Sequence, residues 1–365
     1  MAQRALRLYA GPAALAHIRA NGLRPEHIGA IPGAAGGPKG LILGPLDRFI
    51  FGEWLTQSAQ PVHLIGASIG AWRMATAALT DPVPAFERLQ RDYIAQHYEL
   101  PPGAKRPSAE QVSREFGHNL QAFYGGRIDE VMSHPRYHLH VIASRGKGVL
   151  QREHRLLTPL GYGAAFVANA LQRRALGRLL ERVVFSSAGQ GGAPAPTPFA
   201  LDDFPSRHLP LSAVNFMPAV QASCSIPFAL QAVHNIPGAP AGAYWDGGIT
   251  DYHLHLRYRP PAGSPIVLYP HFQRQVVPGW LDKALTHRHR ATSALDHMLL
   301  LAPDPQWVAG LPQGKLPDRH DFMTYANDLP GRMRVWTTAA QAAQQLADEL
   351  AQWLRAPDPT RLEPL

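Results

Sequence analysis

The first candidate for chemistry in this chain is Ser68, which lies in the sequence Gly-Ala-Ser-Ile-Gly at 66–70. An apolar run at 62–65 precedes it, and an alanine-rich stretch with helical spacing follows it. A G-x-S-x-G sequence at a sharp strand-to-helix turn exposes the serine hydroxyl, and the N-terminus of the helix favours developing negative charge. The pattern predicts a nucleophile, although a purely structural turn would also use small residues.

A glycine-rich stretch at 33–40 lies upstream of the serine, between an apolar run and a segment with helical spacing. Backbone N–H groups at a strand-to-helix junction can hold negative charge. A phosphate-binding loop would require Ser or Thr after its lysine, but Gly40 follows Lys39 here. The stretch therefore indicates an anion-binding loop of another kind or a tight structural turn.

One carboxylate stands out by its context, because Asp246 is followed by two glycines in Tyr-Trp-Asp-Gly-Gly at 244–248. The bare backbone allows the carboxylate to approach a neighbouring loop, although Asp-Gly is also typical of hairpin turns. A serine nucleophile requires a base. Asp246 is one candidate for direct contact, and His271 follows in the chain order that a conventional Ser–Asp–His triad would use.

These three stretches, in this order, resemble the motifs of the patatin-like phospholipase family. Its glycine loop, G-G-G-x-[RK]-G, corresponds to 35–40, its G-x-S-x-G motif to 66–70, and its D-G-[GA] motif to 246–248. A fourth stretch, Gln-Ala-Ser-Cys-Ser-Ile-Pro-Phe at 221–228, is similar to the family's A-S-x-A-x-P-x-x-F segment. The resemblance spans roughly 27–270. Ala35 replaces the first loop glycine, and Thr250 and Asp251 stand where the family often has Asn-Pro.

The resemblance implies a serine lipid acyl hydrolase, of phospholipase A type or with a broad choice of carboxylic esters. In such an enzyme Ser68 is the nucleophile and Asp246 is the base of a two-residue dyad. The residues implied to donate backbone N–H groups to the oxyanion are Gly36, Gly37, Lys39 and Gly40. No metal and no cofactor is implied. A conventional esterase with Ser68, Asp246 and His271 stays open as an alternative, and so does a non-catalytic lipid-binding protein.

The segments around these motifs predict an α/β fold. Apolar runs typical of buried strands lie at 27–31, 62–65, 138–144, 183–186 and 266–269. Helical spacing occurs at 12–20, 41–54, 71–79, 164–180 and 337–354. We expect a single patatin-like domain over 1–365, with a mainly parallel central sheet and helices on both faces. Its core would cover about 27–270, a helical insertion or cap about 84–136, and a C-terminal helical region about 275–365.

The composition narrows the choice of partners. The chain has 365 residues, of which 45% are hydrophobic and 17% are charged, so it can bury a large core. A single cysteine, Cys224, excludes an intramolecular disulfide and a cysteine-based zinc cluster, and it favours a reducing, cytoplasmic setting.

The net charge of +8 comes mainly from dispersed arginines, and no nucleic-acid-binding motif is present. No apolar run approaches the roughly 18 residues of a membrane-spanning helix. We therefore expect a lipid or other ester as substrate, no nucleic acid and no transmembrane segment. Arg173, Arg174 and Arg178, with Leu171 and its neighbouring leucines, allow peripheral contact with an anionic membrane surface, although a solvated face has the same pattern.

Overall fold

The computed structural model describes residues 4–100, 106–189 and 192–365 of the chain. It shows a mixed α/β fold in which helices flank a central, mostly parallel sheet. The predicted fold class is therefore confirmed. Part of the predicted helical insertion, residues 101–105, lies outside the described residues.

The strands, in chain order, are β1 (Leu6–Ala10), β2 (Ile28–Gly33), β3 (Val62–Ala67), β4 (Tyr137–Gly146), β5 (Leu180–Ser186), β6 (Ser206–Pro210), β7 (Val233–His234), β8 (Ala243–Trp245), β9 (Ile266–Pro270), β10 (Met298–Pro303) and β11 (Leu362–Pro364). The α-helices are α1 (Pro12–Asn21), α2 (Gly44–Phe49), α3 (Ile69–Ala77), α4 (Pro82–Ala95), α5 (Ala109–Tyr124), α6 (Ile128–Met132), α7 (Leu157–Leu171), α8 (Phe216–Cys224), α9 (Gly248–Asp251), α10 (Pro305–Ala309), α11 (Asp321–Thr324), α12 (Leu329–Ala342) and α13 (Gln344–Arg355).

The order of strands across the sheet is β11-β1-β10-β9-β2-β3-β4-β5-β6. The central strands β10, β9, β2, β3 and β4 all run parallel to one another. Antiparallel pairing occurs towards the margins, where β1 pairs with β10, and β4 pairs with β5 and β8. Strands of a parallel sheet are covered on both faces, and β2, β3 and β9 are accordingly buried along their full lengths.

The carboxyl ends of the central strands bring the sequence motifs together. Strands β2 and β3 end side by side, with Gly33 opposite Gly66. The glycine-rich loop follows β2, and Ser68 is the single residue between β3 and α3. Strand β8, which pairs with β4 beside β3, ends directly before Asp246. This edge of an α/β sheet is where ligand sites commonly form.

The helix expected at 164–180 is present only in its first part. Helix α7 begins earlier and ends at Leu171, a 3₁₀ turn occupies Arg173–Arg178, and β5 takes the last residue of the expected helix. The reason is a tertiary contact. The Arg173 guanidinium donates to the Asp282 carboxylate and to the Thr250 carbonyl, and these bonds hold the chain in the turn.

The helical pattern at 41–54 forms three different kinds of helical turn. A 3₁₀ helix spans Gly37–Leu43, α2 follows, and a π turn spans Ile50–Trp54. Pro45 lies at the first change and has no N–H to continue a regular ladder. Gly52 lies in the π turn, where a Cβ would come within 2.2 Å of the Val83 side chain. Close packing against α4 therefore shapes this segment.

The C-terminal region supplies strands as well as helices. The apolar patch at 298–302 is part of β10, next to β9, and β11 pairs with β1. The amphipathic pattern at 337–354 is divided between α12 and α13, and Leu346, Leu350 and Trp353 of α13 are buried in the core. Sequence reasoning identified the helices here but not the two strands, whose pairing depends on residues far away in the chain.

Candidate active site

Ser68 occupies a strained turn between β3 and α3. Its backbone has φ +57° and ψ −131°, a conformation that costs about 1–3 kcal/mol for a residue with a side chain. The residue is only 3% exposed. Strain of this kind is typical of functional sites, because the surrounding structure must hold the residue in place.

The two outer glycines of the serine motif are required by close backbone approach. A Cβ at Gly66 would lie 2.3 Å from the Ala71 Cα, and a Cβ at Gly70 would lie 1.8 Å from the Gly33 carbonyl oxygen. The first contact closes the turn onto α3. The second brings α3 against the end of β2, so the glycine-rich loop begins beside the serine.

The carboxylate of Asp246 contacts the serine directly. The Ser68 hydroxyl donates a hydrogen bond to Asp246 Oδ2 at 2.6 Å, and the backbone N–H of Gly248 donates to Oδ1 at 2.7 Å. Asp246 is 5% exposed. Burial raises the pKa of this carboxyl group, while the hydrogen bond from Ser68 and the charge of Arg319 oppose the rise. A carboxylate with a raised pKa is a stronger base than an ordinary aspartate.

The two glycines after Asp246 allow its loop to pack against β4. A Cβ at Gly247 would lie 2.0 Å from the Ile142 carbonyl oxygen, and a Cβ at Gly248 would lie 2.7 Å from the Ala35 Cβ. The Asp-Gly-Gly sequence therefore permits a close approach to the sheet and to the glycine-rich loop. It does not form a hairpin turn, because α9 begins at Gly248.

The segment at 221–228 holds both members of the pair. Ser223 Oγ accepts a hydrogen bond from the Ser68 N–H at 3.0 Å and donates to the Ile142 carbonyl at 2.6 Å. The N–H of Asp246 donates to the Ser225 carbonyl at 2.9 Å. The motif comparison identified this segment but gave Ser223 no role, because the sequence does not show which backbone group a serine will meet.

The glycine-rich loop turns sharply into the 3₁₀ helix Gly37–Leu43. Gly37 has φ +59°, and a Cβ at Gly36 would lie 2.5 Å from the Phe272 ring. In a 3₁₀ helix that begins at this point, the N–H groups of Gly36 and Gly37 have no carbonyl behind them to bond. Gly40 packs near Ile69, the residue after the serine: a Cβ at Gly40 would lie 3.9 Å from the Ile69 side chain.

Two cations from the C-terminal region, Arg319 and Lys283, lie near the Ser68–Asp246 pair. Arg319 Nε lies 3.1 Å from the position that a Cβ would take at Gly37. Lys283 Nζ lies 4.1 Å from the centre of the Tyr252 ring. Partial burial, together with the neighbouring charges of Arg319 and Lys39, lowers the pKa of Lys283 to about 8. Both charges also lower the pKa of Asp246.

Lys39 is the third cation, with its Nζ 5.5 Å from the centre of the Phe272 ring. Burial lowers its pKa. Within the described residues, none of Lys39, Lys283 and Arg319 forms an ion pair. The site therefore has an excess of positive charge, which favours an anionic intermediate. Sequence analysis missed Arg319 and Lys283, because neither lies in a recognisable motif.

A small apolar cavity lies beside the glycine-rich loop and Ile69, the residue after the serine. Its volume is about 30 Å³. The residues that line it are Gly37, Gly40, Leu41, Gly44, Asp47, Ile69, Arg73, Phe86, Leu89, Gln90 and Tyr93. Asp47 and Arg73 neutralise each other through two hydrogen bonds of 2.8 and 2.7 Å. The cavity thus offers a space without net charge beside the residue that follows the serine.

His271 has its contacts elsewhere. It follows β9, is fully buried, and its Nδ1 bonds the Gln273 carbonyl at 2.5 Å. Its Nε2 has no hydrogen-bond partner within the described part of the chain. Burial lowers the pKa of His271 to about 3, so its ring is neutral at ordinary pH. No hydrogen bond joins it to Ser68 or Asp246 in the described structure.

Residues 4–100, 106–189 and 192–365 contain no group of three or more His, Cys, Asp or Glu side chains arranged to hold a metal ion. None of the helices in these ranges has the length and apolar character needed to cross a bilayer.

Comparison with known proteins adds little. No family model matches the chain, and no curated protein matches it. Among solved structures, the crystal structure of VipD from Legionella pneumophila is similar at a TM-score of 0.39 and 14% sequence identity. The match covers 91% of this chain and 67% of that one. Because a similarity at this level carries no weight for activity, the interpretation below depends on the geometry of the site.

Proposed function

We propose that this chain is a serine hydrolase of carboxylic esters, and specifically a lipid acyl hydrolase of the patatin-like kind. The observation that carries the proposal is the 2.6 Å hydrogen bond from the Ser68 hydroxyl to Asp246, made at a strained strand-to-helix turn. A serine is a weak nucleophile unless a base takes its proton. Asp246 is buried, in contact and has a raised pKa, so it supplies that base without an intervening histidine.

The reaction proceeds in two stages. Ser68 Oγ attacks the ester carbonyl while its proton passes to Asp246 Oδ2, and the tetrahedral intermediate then collapses. The C–O bond to the alcohol breaks, and the alcohol leaves with the proton from Asp246. In the second stage Asp246 takes a proton from water, the water attacks the acyl-serine, and the acid is released as Ser68 recovers its proton.

The oxyanion is stabilised by the glycine-rich loop. We assign the donors to the N–H groups of Gly36 and Gly37, which have no acceptor inside the 3₁₀ helix, while Lys39 and Gly40 shape the same turn. The N–H of Ser68 itself is engaged by Ser223. Each well-placed donor in such a site contributes about 10²–10³ in kcat.

The apolar cavity beside Ile69 receives the acyl group. At about 30 Å³ it accepts only the end of a short acyl chain without rearrangement. Lipid esters with longer chains require Phe86 and Leu89 to move. We therefore expect short-chain esters to be cleaved fastest. Peripheral contact with an anionic membrane is a separate expected property of the protein.

A fluorophosphonate probe and a panel of p-nitrophenyl esters test the proposal. Wild-type protein should be labelled and should hydrolyse the esters, while Ser68→Ala should do neither. A non-catalytic lipid-binding protein would show no labelling, and that result would overturn the proposal.

A second pair of variants separates the dyad from a conventional triad. Asp246→Asn keeps the shape of the side chain but removes the proton acceptor, so hydrolysis should fall by several orders of magnitude. His271→Ala should leave substantial activity, because His271 contacts neither reacting residue. The opposite outcome, with His271→Ala inactive and Asp246→Asn only slowed, would favour the triad. Circular dichroism of each variant shows whether it is folded.

A further inference from the structure

Helix α7 presents an apolar face to solvent. Four of its side chains, or those that lead into it, are at least half exposed, namely Leu156 (68%), Leu160 (70%), Val167 (57%) and Leu171 (81%). Leu157 and Phe166 add 46% and 43%. A surface helix of a globular protein normally carries polar residues on its outer side. The apolar side of α7 therefore has no partner within the described chain.

The inner side of α7 explains why the helix is nevertheless well placed. Gly161 packs against Leu150, and Asn169 Nδ2 donates to Asp282 Oδ1 at 2.8 Å. Arg288 donates to the last carbonyls of the helix, those of Asn169 and Ala170. The helix is thus fixed by small, polar and capping contacts on one side, and its large apolar side chains are left for the other.

Arginines lie at both ends of this face. No charged residue occurs between Arg155 and Arg173, and Arg155, Arg174 and Arg178 are exposed. Arg152 is also exposed near the N-terminal end, with Glu153 as the neighbouring acid. Of the leucines expected at a membrane-contacting surface, Leu176 is fully buried, so the exposed apolar face lies earlier in the chain than the sequence pattern indicated.

The buried side of α7 contacts the surroundings of the active site. Tyr162 of α7 packs edge-on against Trp245, which precedes Asp246, at 5.9 Å between ring centres. Its other neighbour, at 5.8 Å, is Phe228, which is 58% exposed and has φ +69°. Through Tyr162, helix α7 and the exposed Phe228 are therefore joined to the residue that precedes Asp246.

We propose that α7 is a membrane-docking helix, whose exposed apolar face inserts into the interface of a bilayer that contains anionic phospholipids. An interfacial helix combines large apolar side chains with flanking cations, and this is the combination on α7. A second copy of the chain is a poorer fit. Both ends of the face carry arginine, so a two-fold contact between two α7 helices opposes like charges in either direction. This proposal deepens the peripheral membrane contact proposed above, and it does not depend on the ester hydrolysis.

Vesicle flotation tests the docking surface. Wild-type protein should float with phosphatidylcholine vesicles that contain about one-third phosphatidylglycerol and should float much less with phosphatidylcholine alone. The double variant Leu160→Gln and Leu171→Gln should lose about tenfold or more in partitioning, because two large apolar side chains no longer enter the interface. The matched control is Met323→Gln. Met323 is 70% exposed on α11, whose neighbour Phe322 packs against a different core cluster, and its variant should float as wild type does.

A second pair of measurements tests the charge and the alternative occupant. Arg174→Gln with Arg178→Gln should reduce binding to the anionic vesicles several-fold and weaken its dependence on salt. Equal binding of wild type to neutral and anionic vesicles would overturn the role of charge. Analytical ultracentrifugation that shows a wild-type dimer and a Leu160→Gln, Leu171→Gln monomer, without vesicle binding by either, would overturn the proposal and assign the face to a second copy. Because flotation is also measured with Ser68→Ala, loss of hydrolysis and loss of docking are read separately.

Discussion

Two buried serines of the same sheet have contrasting surroundings. Ser68, after β3, contacts a carboxylate, whereas Ser186, at the end of β5, contacts two imidazoles. His140 Nδ1 lies 2.7 Å from Ser186 Oγ, and His208 Nε2 lies 2.8 Å from it. His63 Nδ1 in turn lies 2.9 Å from His140 Nε2, so a line of hydrogen bonds joins the four neighbouring strands β3, β4, β5 and β6.

The comparison indicates that contact with a base is not the feature that distinguishes the proposed nucleophile. Ser186 lies in regular extended backbone and is fully buried, so no substrate reaches its hydroxyl. Ser68 has a positive φ and lies at the start of a helix whose first residue, Ile69, lines a cavity. Lys39, Lys283 and Arg319, which form no ion pair within the described residues, lie near this turn and its partner Asp246. The hydrogen-bonded histidine line, formed by His63, His140, Ser186 and His208, crosses the sheet as a structural network. The Ser68–Asp246 pair lies instead at the carboxyl ends of the strands.

The sharpest test exchanges each serine for alanine. Ser68→Ala should reduce kcat for a p-nitrophenyl ester by about 10⁴-fold or more, because the attacking oxygen is removed. Ser186→Ala should retain activity within a few-fold and should lower the free energy of unfolding by about 1–3 kcal/mol, because the buried His140 and the half-buried His208 lose their partner. Steady-state kinetics and urea denaturation measure the two effects. An inactive but stably folded Ser186→Ala would show that the comparison is wrong.

Ser223 tests how strongly the position of Ser68 depends on its support. Ser223→Ala removes the acceptor of the Ser68 N–H and the donor to Ile142, so the strained turn should loosen. We expect kcat to fall by about tenfold to a hundredfold while KM changes little. The matched control is Ser225→Ala, since within the described structure Ser225 Oγ donates to the Gln221 carbonyl of α8 and to neither residue of the proposed dyad. Equal kinetic losses in both variants would indicate general disruption of the segment.

Much of this comparison could be predicted from sequence, and the rest has identifiable reasons. The turn at Ser68 and the approach of Asp246 follow from glycines that a local motif records. The placement of β10 and β11 does not, because each pairs with a strand distant in the chain. The position of Arg319 at the site could not be predicted for the same reason, since nothing in its own segment indicates contact with Gly37.

Arg319 provides a smaller, electrostatic test. Its charge lowers the pKa of Asp246, against the larger opposite effect of burial. Arg319→Gln should therefore raise the pKa of Asp246, and the acid limb of the pH profile of kcat/KM should move to higher pH. The loss at neutral pH should be a few-fold. Arg334→Gln, which removes an exposed cation from α12, should leave the profile in place. A profile that moves to lower pH in Arg319→Gln would contradict the assignment of Asp246 as the base.

The histidine line should affect stability at acid pH and leave the chemistry unchanged. Burial, with a smaller effect of His138, lowers the pKa of His63 to about 4, whereas an unfolded histidine has a pKa near 6.5. Between these two values the unfolded chain binds a proton that the folded chain excludes, so stability should fall as the pH drops from about 6.5 to about 4.

His63→Gln keeps a group able to bond His140 but cannot bind the proton. Its melting temperature should therefore fall less steeply than that of wild type over this range, while its kcat at neutral pH stays the same. Thermal melts at a series of pH values give the slope of melting temperature against pH for each protein. The difference between the two slopes is the measure, because His134 and His271 also have lowered pKa values and contribute equally to both proteins. Parallel slopes would mean that His63 is protonated in the folded state as readily as in the unfolded one, and that the line across the sheet can hold a charge.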